Sequence, residues 1–398
     1  MNIPFNKPYQ SPKALEYIGD AMDRGHLSGN GYYSLKCQRF FENRYNVSRC
    51  LLTSSCTDAL EMAAILLDIQ PGDEVIMPSF TFVSTANAFV LRGAKLRFVD
   101  SRSDHPGMDE TKVEELINEK TKVIVAVHYA GVACDMGLIM GLARKYDLFV
   151  VEDAAHGVES DFLGEQLGTI GHLGAMSFHE TKNIQCGMGG MLMINDSQFL
   201  ERAEIIWNRG TDKANFQRGA ISKYQWTDIG SSYQLSEVNA AILWSQLEEL
   251  EEIVERRKGI WDSYFNCFST ENFESPATNC SCISAFKFHT SAFKPQPSDF
   301  SFQTSKFRGN CHIFYLLFNF KYERDNYSQS LRDQGIMSVF HYQSLHKSPF
   351  AQQHFPEEYE RNLPNSERYS DCLLRLPMFY EMGELIEDAR KLDTYKFE

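Results

Sequence analysis

Two reactive side chains, Asp153 and Lys182, each follow a short apolar run in the sequence. Asp153 comes just after the run at 148–151 and is followed by small residues, which predicts a carboxylate at a strand end with little water around it. Such a carboxylate needs a cationic or hydrogen-bonding partner. Lys182 follows the run at 174–178, and a lysine in a desolvated pocket is a nucleophile for aldehydes. The alternatives are an aspartate that caps a helix and a solvated surface lysine.

Two further segments have the composition of a binding site. Residues 53–57 carry hydroxyl and thiol side chains and lead into an amphipathic helix, and a helix start of this kind binds anions such as phosphate. An ordinary Ser/Thr helix cap gives the same pattern. Phe82 follows another apolar run and could cover a flat heteroaromatic ring, although a lone aromatic more often belongs to a core.

In combination, these features supply a phosphate cradle, an aromatic cover, an acid for a ring nitrogen and a lysine that condenses with an aldehyde. Pyridoxal 5'-phosphate (PLP) needs all four. The sequence therefore predicts PLP as the cofactor and Lys182 as its Schiff-base lysine. A nicotinamide-dependent oxidoreductase would carry Gly-x-Gly-x-x-Gly after the first strand, and that motif is not found there.

The elements that must position these residues alternate along the first two-thirds of the chain. Apolar runs predict strands at 74–77, 95–99, 123–127, 148–151, 174–178 and 191–194. Helical patterns occur at 58–67, 84–91, 109–117, 136–145 and, as one long helix, 235–257. This order predicts an α/β fold with a mostly parallel sheet that is covered on both faces, and ligands of such sheets bind at the carboxyl ends of the strands.

The chain is long enough for two domains. A large cofactor-binding domain is predicted at 1–245 and a smaller C-terminal α/β domain at 246–398. The segment 269–305 has little pattern and is rich in Ser, Asn, Thr and Pro, so it is interpreted as irregular. A strand at 312–318, a helix at 328–334 and a strand at 337–341 are expected after it.

Composition limits the possible partners. The formal net charge of −14 argues against nucleic acid or an anionic membrane as the main partner. No apolar stretch is long enough to cross a bilayer, and the N-terminus lacks the pattern of a signal peptide, so we expect a cytoplasmic protein. The ten cysteines and eleven histidines are dispersed, which predicts free thiols and no structural metal.

The chain resembles the DegT/DnrJ/EryC1 family of sugar aminotransferases over nearly its whole length, least between 269 and 305. The blocks at 71–85, 151–156 and 177–183 carry the resemblance. It is strongest to members that aminate TDP-4-keto-6-deoxy-D-glucose at carbon four, through residues 51–60, 68–95, 128–134 and 228–233. It implies the PLP fold type I architecture, with a seven-stranded sheet in the large domain, and a homodimer with shared active sites.

The resemblance also implies roles for individual residues. Lys182 would bind the cofactor and move the proton, and Asp153 would pair with its ring nitrogen. Cofactor contacts are implied for Cys56, Thr57, Phe82, His156, Ser177 and Ser232, the last one across the dimer. Substrate contacts are implied for Gly29, Tyr342 and His346, with a structural histidine as the alternative for His346. Ser232, Gln234 and Met188 stand where relatives commonly have Asn, Arg and Glu.

The function implied by the resemblance is transamination. L-glutamate would donate the amino group, and the keto sugar would accept it at carbon four, leaving 2-oxoglutarate. A 3-aminotransferase that acts on a TDP-3-keto-6-deoxy sugar is the alternative enzyme. A dehydratase of this fold would have histidine in place of Lys182. A regulatory or scaffold protein on the same fold is the alternative that is not an enzyme, although such a protein would be expected to have lost Lys182 or Asp153.

Overall fold

The computed structural model describes residues 2–269, 296–297 and 307–382. The strands within these ranges are β1 (Arg49–Thr53), β2 (Glu74–Pro78), β3 (Lys95–Val99), β4 (Thr121–Val127), β5 (Phe149–Asp153), β6 (Asp161–Phe162), β7 (Glu165–Gln166), β8 (Leu173–Ser177), β9 (Gly190–Ile194), β10 (Gln296–Pro297), β11 (Phe307–Arg308), β12 (Tyr315–Leu317) and β13 (Leu373–Arg375). The segment 269–305, which is interpreted from the sequence as irregular, lies mostly outside the described residues.

The α-helices within these ranges are α1 (Ala14–Asp23), α2 (Tyr32–Tyr45), α3 (Cys56–Leu66), α4 (Val83–Val90), α5 (Met136–Tyr146), α6 (Leu200–Trp207), α7 (Lys213–Gln217), α8 (Glu237–Leu247), α9 (Leu250–Ser269), α10 (Lys321–Asp333), α11 (Pro349–His354), α12 (Pro356–Tyr359) and α13 (Pro364–Cys372). Short 3-10 turns lie at Glu110–Lys112, Glu114–Leu116, Tyr129–Gly131, Ser197–Phe199 and Leu345–Lys347.

A seven-stranded sheet forms the centre of the fold, in the order β1-β9-β8-β5-β4-β2-β3. The pairs from β3 to β8 are parallel, whereas β9 is antiparallel to both β8 and β1. The six strands that were predicted for the large domain are all present, each within two residues of its expected start. The prediction missed β1, which was interpreted as part of a turn before α3.

Successive side chains of the central strands enter two separate cores. Ile124 packs on one face with residues of α2, α5 and α8, while its neighbours Val123 and Val125 pack on the other face with residues of α3, α4 and α6. All three side chains are fully buried. This alternation explains the uninterrupted apolar runs, because a strand covered on both faces has no solvent side.

The C-terminal part contains a smaller antiparallel sheet, β10-β12-β13, which packs with α9 and α10 around a third apolar core. The long helix predicted at 235–257 is wrong in one respect: α8 ends at Leu247, and α9 begins at Leu250. The domain boundary that was predicted at residues 245 and 246 falls in the last turn of α8. The division into two domains stays a prediction.

Four local predictions differ from the structure. The segment 109–117 forms two 3-10 turns instead of a helix, held by side-chain acceptors such as Asp109. The strand expected at 312–318 shrinks to β12, and the one expected at 337–341 reduces to an isolated bridge from Val339 to Arg375. The helix expected at 328–334 is longer, because α10 already begins at Lys321.

Two findings bear on the expectations from composition. Seven described cysteines are free of disulfides, and all but Cys56 are buried. Within the described ranges, every helix is either too short or too polar to span a bilayer.

Candidate active site

A cavity of about 470 Å³ lies at the carboxyl ends of β4, β5 and β8. This is the edge at which a parallel sheet of this kind binds its ligands. Eight of the predicted site residues contribute to the cavity wall: Cys56, Thr57, Phe82, Asp153, His156, Ser177, Lys182 and Tyr342. The wall also includes residues that approach from the C-terminal part of the chain, so the cavity lies between the large sheet and that part.

Lys182 lies in the loop that connects β8 to β9. Its backbone N–H donates to the carbonyl of His179 (2.8 Å), and the N–H of Glu180 donates to the carbonyl of Gly187 (2.9 Å). Gly187 has a positive φ of 79°, which a residue with a side chain adopts less readily. Burial lowers the pKa of Lys182 from its ordinary 10.5 to about 8. About a tenth of this amine is therefore neutral, and hence nucleophilic, at pH 7.

Asp153 ends β5, and its side chain is buried. One carboxylate oxygen accepts a hydrogen bond from the Thr85 hydroxyl (2.6 Å), and the other accepts one from the Ala155 N–H (3.1 Å). The hydroxyls of Thr81 and Thr85 are themselves 3.0 Å apart. The carboxylate is thus held in one orientation at the cavity wall, and no basic side chain of the described residues forms an ion pair with it.

Glu152, the residue before Asp153, fixes the end of β5 through buried hydrogen bonds. The Glu152 carboxylate is fully buried and accepts hydrogen bonds from the N–H groups of Gly168, Ile170 and Gly171. His128 Nδ1 accepts from the Cys134 N–H, so His128 Nε2 carries the hydrogen and donates to Glu152 (2.8 Å). These bonds tie the ends of β4 and β5 to the loop before β8.

The N-terminus of α3 forms the opposite part of the wall. Ser55 caps this helix by accepting from the Asp58 N–H (3.1 Å), and the Thr57 hydroxyl donates to Ser84 (2.7 Å). The first N–H groups of a helix have no partner within the helix, so those of Cys56 and Thr57 are suited to an anion. A Cβ on Gly190 would lie 2.3 Å from Cys56 N, so only glycine lets β9 pass this close to the helix start.

His156 and Tyr342 face each other across another part of the cavity. His156 Nδ1 accepts from the Ala130 N–H (3.1 Å), so the neutral ring carries its hydrogen on Nε2, which lies 3.4 Å from the Tyr342 oxygen. Burial holds the pKa of His156 well below 6.5. The side chain is therefore a neutral hydrogen-bond donor to a ligand in the cavity.

Three predicted site residues do not contribute to this cavity. Gly29 has a positive φ of 98°, and a Cβ there would lie 2.4 Å from the Leu235 carbonyl oxygen. The backbone conformation and this close contact therefore explain why the residue is glycine. Ser232 accepts a hydrogen bond from Arg209 (2.9 Å). His346 is fully buried, and its nitrogens lie 2.6 Å from the Ser79 hydroxyl and 3.2 Å from Glu367. These contacts favour the structural alternative for His346.

Several residues of the cavity wall were not predicted as site residues, among them His312, His341 and Arg375 from the C-terminal part of the chain. His312 and Arg375 lie in apolar stretches that give no sign of a site, whereas His341 directly precedes the predicted site residue Tyr342. A charged residue inside the apolar run at 373–376 was the one available signal for Arg375. Met188, which was singled out as a departure from relatives, also lies at the cavity and is about half exposed.

The residues fit PLP. A buried carboxylate, a lysine of lowered pKa, a helix N-terminus with unpaired N–H groups and a neutral histidine donor all share one cavity. Asp153 would hold the ring nitrogen, the start of α3 with Ser177 would hold the phosphate, and Lys182 would bind the aldehyde. The fold and the cavity define a PLP enzyme of fold type I.

Comparison with known proteins agrees with this class. The model of the DegT/DnrJ/EryC1/StrS aminotransferase family matches residues 8–389. An uncharacterized protein of Methanocaldococcus jannaschii is 30% identical over 388 residues, which cover 96% of this chain and 94% of the relative. GDP-perosamine synthase of Escherichia coli O157:H7 is 34% identical over 263 residues, which cover 66% of this chain and 70% of that enzyme.

A solved structure shows the same fold. The apo form of Spr1654, a putative sugar aminotransferase of Streptococcus pneumoniae, superposes with a TM-score of 0.83 at 23% identity, covering 99% of this chain and 98% of that one. Spr1654 has also been solved in its PLP and pyridoxamine phosphate forms. The chain belongs to the DegT/DnrJ/EryC1/StrS aminotransferase family. The predictions of fold type I and of PLP as cofactor are confirmed, and the protein is a PLP-dependent aminotransferase.

Proposed function

We propose that the protein transfers the amino group of L-glutamate to carbon four of TDP-4-keto-6-deoxy-D-glucose, giving a TDP-4-amino-4,6-dideoxy sugar and 2-oxoglutarate. The main observation in support of transamination is that Lys182 and Asp153 share one cavity with the N-terminus of α3. The choice of a keto sugar rests on the family and on relatives such as GDP-perosamine synthase. The choice of this sugar rests on the sequence blocks at 68–95 and 128–134.

The side chains of the cavity have complementary tasks in such a reaction. When bound, PLP supplies an electron sink that lets a carbon next to the amino group lose and regain a proton. Asp153 stabilises positive charge on the ring nitrogen, and Thr85 keeps this carboxylate in place. Lys182 takes the proton from one carbon and returns it to another, because its amine changes protonation state near neutral pH.

The sugar side of the cavity supplies neutral hydrogen-bond donors. Burial raises the pKa of the Tyr342 phenol, so it stays protonated and can donate to a sugar oxygen. Phe82 is about half exposed at the mouth of the cavity, near Tyr342, where a ring can cover a ligand. Contacts from Gly29 and His346 to the substrate stay predictions, and both residues lie outside the cavity wall.

A homodimer with shared active sites is part of the proposal. Several large apolar side chains are exposed on the same large domain, among them Phe82 and Met188 at the cavity and Trp226 and Ile229 near Ser232. A second copy would cover such side chains. Light scattering is expected to give twice the mass of the chain, and Trp226→Glu is expected to shift the protein towards the monomer. A monomeric wild-type protein with full activity would contradict this part.

The absorption spectrum tests the transaminase half-reaction. Wild-type protein loaded with PLP is expected to show the visible band of lysine-bound cofactor, and L-glutamate is expected to bleach it. Lys182→Ala is expected to lack the band, whereas Lys223→Ala, an exposed lysine outside the cavity, is expected to behave as wild type. A wild-type protein that takes up no PLP would contradict the proposed reaction and favour the regulatory or scaffold protein as the alternative.

The second half-reaction identifies the acceptor. After bleaching and removal of glutamate, TDP-4-keto-6-deoxy-D-glucose is expected to restore the band and to yield an amine at carbon four in the product. A TDP-3-keto-6-deoxy sugar tests the alternative position. A GDP-linked 4-keto-6-deoxy sugar is the second candidate, because of the similarity to GDP-perosamine synthase. Faster recovery with either of these two would overturn the proposed substrate.

A further inference from the structure

His312 brings a second imidazole ring to the cavity from the C-terminal part of the chain. Its side chain lines the main cavity together with Lys182, and the same two residues line a second, smaller cavity that also includes Ser177. Burial holds the pKa of His312 well below 6.5, so the ring is neutral. A neutral imidazole has one donor nitrogen and one acceptor nitrogen. The nitrogen that carries the hydrogen therefore decides what this ring offers to the cavity.

The hydrogen bonds of Asn183 fix the tautomer of His312. The Asn183 amide nitrogen donates to the backbone carbonyl of Asn310 (3.0 Å), a group that can only accept. The Asn183 amide oxygen is therefore the atom that lies 2.7 Å from His312 Nδ1, and this oxygen can only accept as well. The hydrogen of the neutral ring must then lie on Nδ1. His312 Nε2 keeps a lone pair, and no donor among the described residues occupies it.

Contacts from two directions hold this ring in place. The His312 N–H donates to the Asn310 side-chain oxygen (3.1 Å), and the Asn310 amide nitrogen donates to the His156 carbonyl (2.7 Å). These bonds tie His312 to the segment that follows β5, while Asn183 ties its ring to the loop that contains Lys182. A side chain that is held in this way presents its free nitrogen at a fixed position.

The amine of Lys182 has no hydrogen-bond partner in the described part of the chain. The titratable and charged groups that share the cavity with it are Cys56, Asp153, His156, His179, His312, His341, Tyr342 and Arg375. Of these, Arg375 offers only donors, His156 offers its Nε2–H, and Asp153 is held by Thr85 for the ring nitrogen. The charge of Lys182 contributes to the lowered pKa of His312, so the two side chains lie close together.

We propose that His312 positions the free amine of Lys182 for proton transfer by accepting a hydrogen bond at Nε2. The inference rests on the proposed role of Lys182 as the proton carrier and adds the residue that orients it. A lysine amine lies at the end of a flexible four-carbon chain, and donation to a fixed acceptor turns its lone pair in one direction. The amine becomes an ammonium when it takes the proton from the α-carbon of the donor, and it is an amine again once it returns the proton. No proton passes to His312.

This hydrogen bond is stronger while Lys182 carries the proton, because a charged donor forms a stronger hydrogen bond than a neutral one. His312 therefore stabilises the ammonium relative to the amine. The state that forms as the proton leaves the carbon gains more from it than the state before, which accelerates this step. Loss of the acceptor is expected to lower the pKa of Lys182 further and, at the same time, to slow proton transfer.

Two variants separate the acceptor nitrogen from the rest of the ring. Asparagine matches Nδ1 and keeps a donor for Asn183, whereas glutamine reaches the position of Nε2 and keeps an acceptor for Lys182. His312→Asn is expected to lower the pKa of Lys182 by about one unit, so that PLP binds to the apoenzyme about tenfold faster at about pH 6. The same variant is expected to slow bleaching by glutamate in a single turnover at least about tenfold. His312→Gln is expected to keep both rates within about threefold of the wild type.

His172→Asn is the matched control, because His172 is half-buried outside the cavity and its Nδ1 accepts from the Val150 N–H (2.9 Å). It is expected to change neither rate. Nitrogen NMR of the histidine-labelled apoenzyme, assigned by the signals that His312→Asn lacks, is expected to show a hydrogen on Nδ1 and none on Nε2.

Four results would overturn the inference: a hydrogen on His312 Nε2, an unshifted pH profile in His312→Asn, a decrease of both rates in that variant, or equal behaviour of His312→Asn and His312→Gln. A structural defect alone would slow both rates, whereas loss of the acceptor moves them in opposite directions. A wild type that takes up no PLP, or that glutamate does not bleach, overturns the proposed function instead.

Discussion

Raising the pH is expected to accelerate the binding of PLP to the apoenzyme only up to about pH 8. The aldehyde reacts with the neutral amine of Lys182, and burial lowers the pKa of this amine from 10.5 to about 8. Below pH 8, the neutral fraction rises tenfold per pH unit, and above pH 8 it levels off. The difference of about 2.5 units makes the neutral fraction at pH 7 about 300 times that of an ordinary lysine.

The assay compares the protein with a free amine. Second-order rate constants for formation of the visible band are measured from pH 6 to pH 10.5 for the apoenzyme and for Nα-acetyl-lysine. Their ratio removes the titration of PLP itself, which is common to both reactions. The ratio is expected to be nearly constant below pH 8 and then to fall about tenfold per unit, by about 150-fold at pH 10.5, because only the free amine continues to gain neutral form.

A ratio that stays constant up to pH 10 would refute the reasoning, since Lys182 would then have the pKa of an exposed lysine. The variant Lys182→Ala is expected to show no fast phase at any pH. A residual phase of similar size in that variant would mean that the observed reaction belongs to another lysine.

Three further predictions concern the groups that hold the site. Thr85→Val removes the 2.6 Å hydrogen bond to Asp153 and is expected to slow the half-reaction with glutamate about tenfold; an unchanged single-turnover rate would contradict this. Gly190→Ala places a Cβ 2.3 Å from Cys56 N and is expected to weaken PLP binding at least about tenfold in a titration, whereas Gly141→Ala, with no atom within 4 Å, leaves it unchanged. Glu152→Gln replaces an acceptor oxygen by an amide NH2 group that faces N–H donors, and it is expected to lower the free energy of unfolding, measured by urea denaturation, by about 2–4 kcal/mol. A loss below about 1 kcal/mol would contradict the importance of these buried hydrogen bonds.

Local pattern was sufficient for the residues at the strand ends. Asp153 and Lys182 each follow a run of apolar residues, and such runs predict buried parallel strands whose carboxyl ends meet at one edge. The structure places both residues in one cavity at that edge. The placement of the two residues was predictable because the periodicity of a strand and the residue that ends it are both properties of neighbouring residues.

Pattern failed where the local conformation depends on distant contacts. The segment 109–117 has a helical pattern, yet it forms 3-10 turns in which the buried Glu110 accepts from the Asp135 N–H (2.7 Å). The long helical pattern from residue 235 is interrupted between Leu247 and Leu250. At this break, the side chains of Glu248 and Glu249 accept hydrogen bonds from Lys13 and Tyr9 of the N-terminal segment.

The sequence by itself determined the large α/β sheet and the cofactor class, and it placed Asp153 and Lys182 at the ends of predicted strands. Only the tertiary structure decided which residues complete the wall of the cavity. It brings in Arg375 and His312, more than 120 residues away from Lys182 in the chain, and it keeps His346 outside in a buried hydrogen-bonded position. Strand and helix periodicity describe contacts between near neighbours, whereas the wall is made by packing one part of the chain against another, and no local pattern encodes that packing.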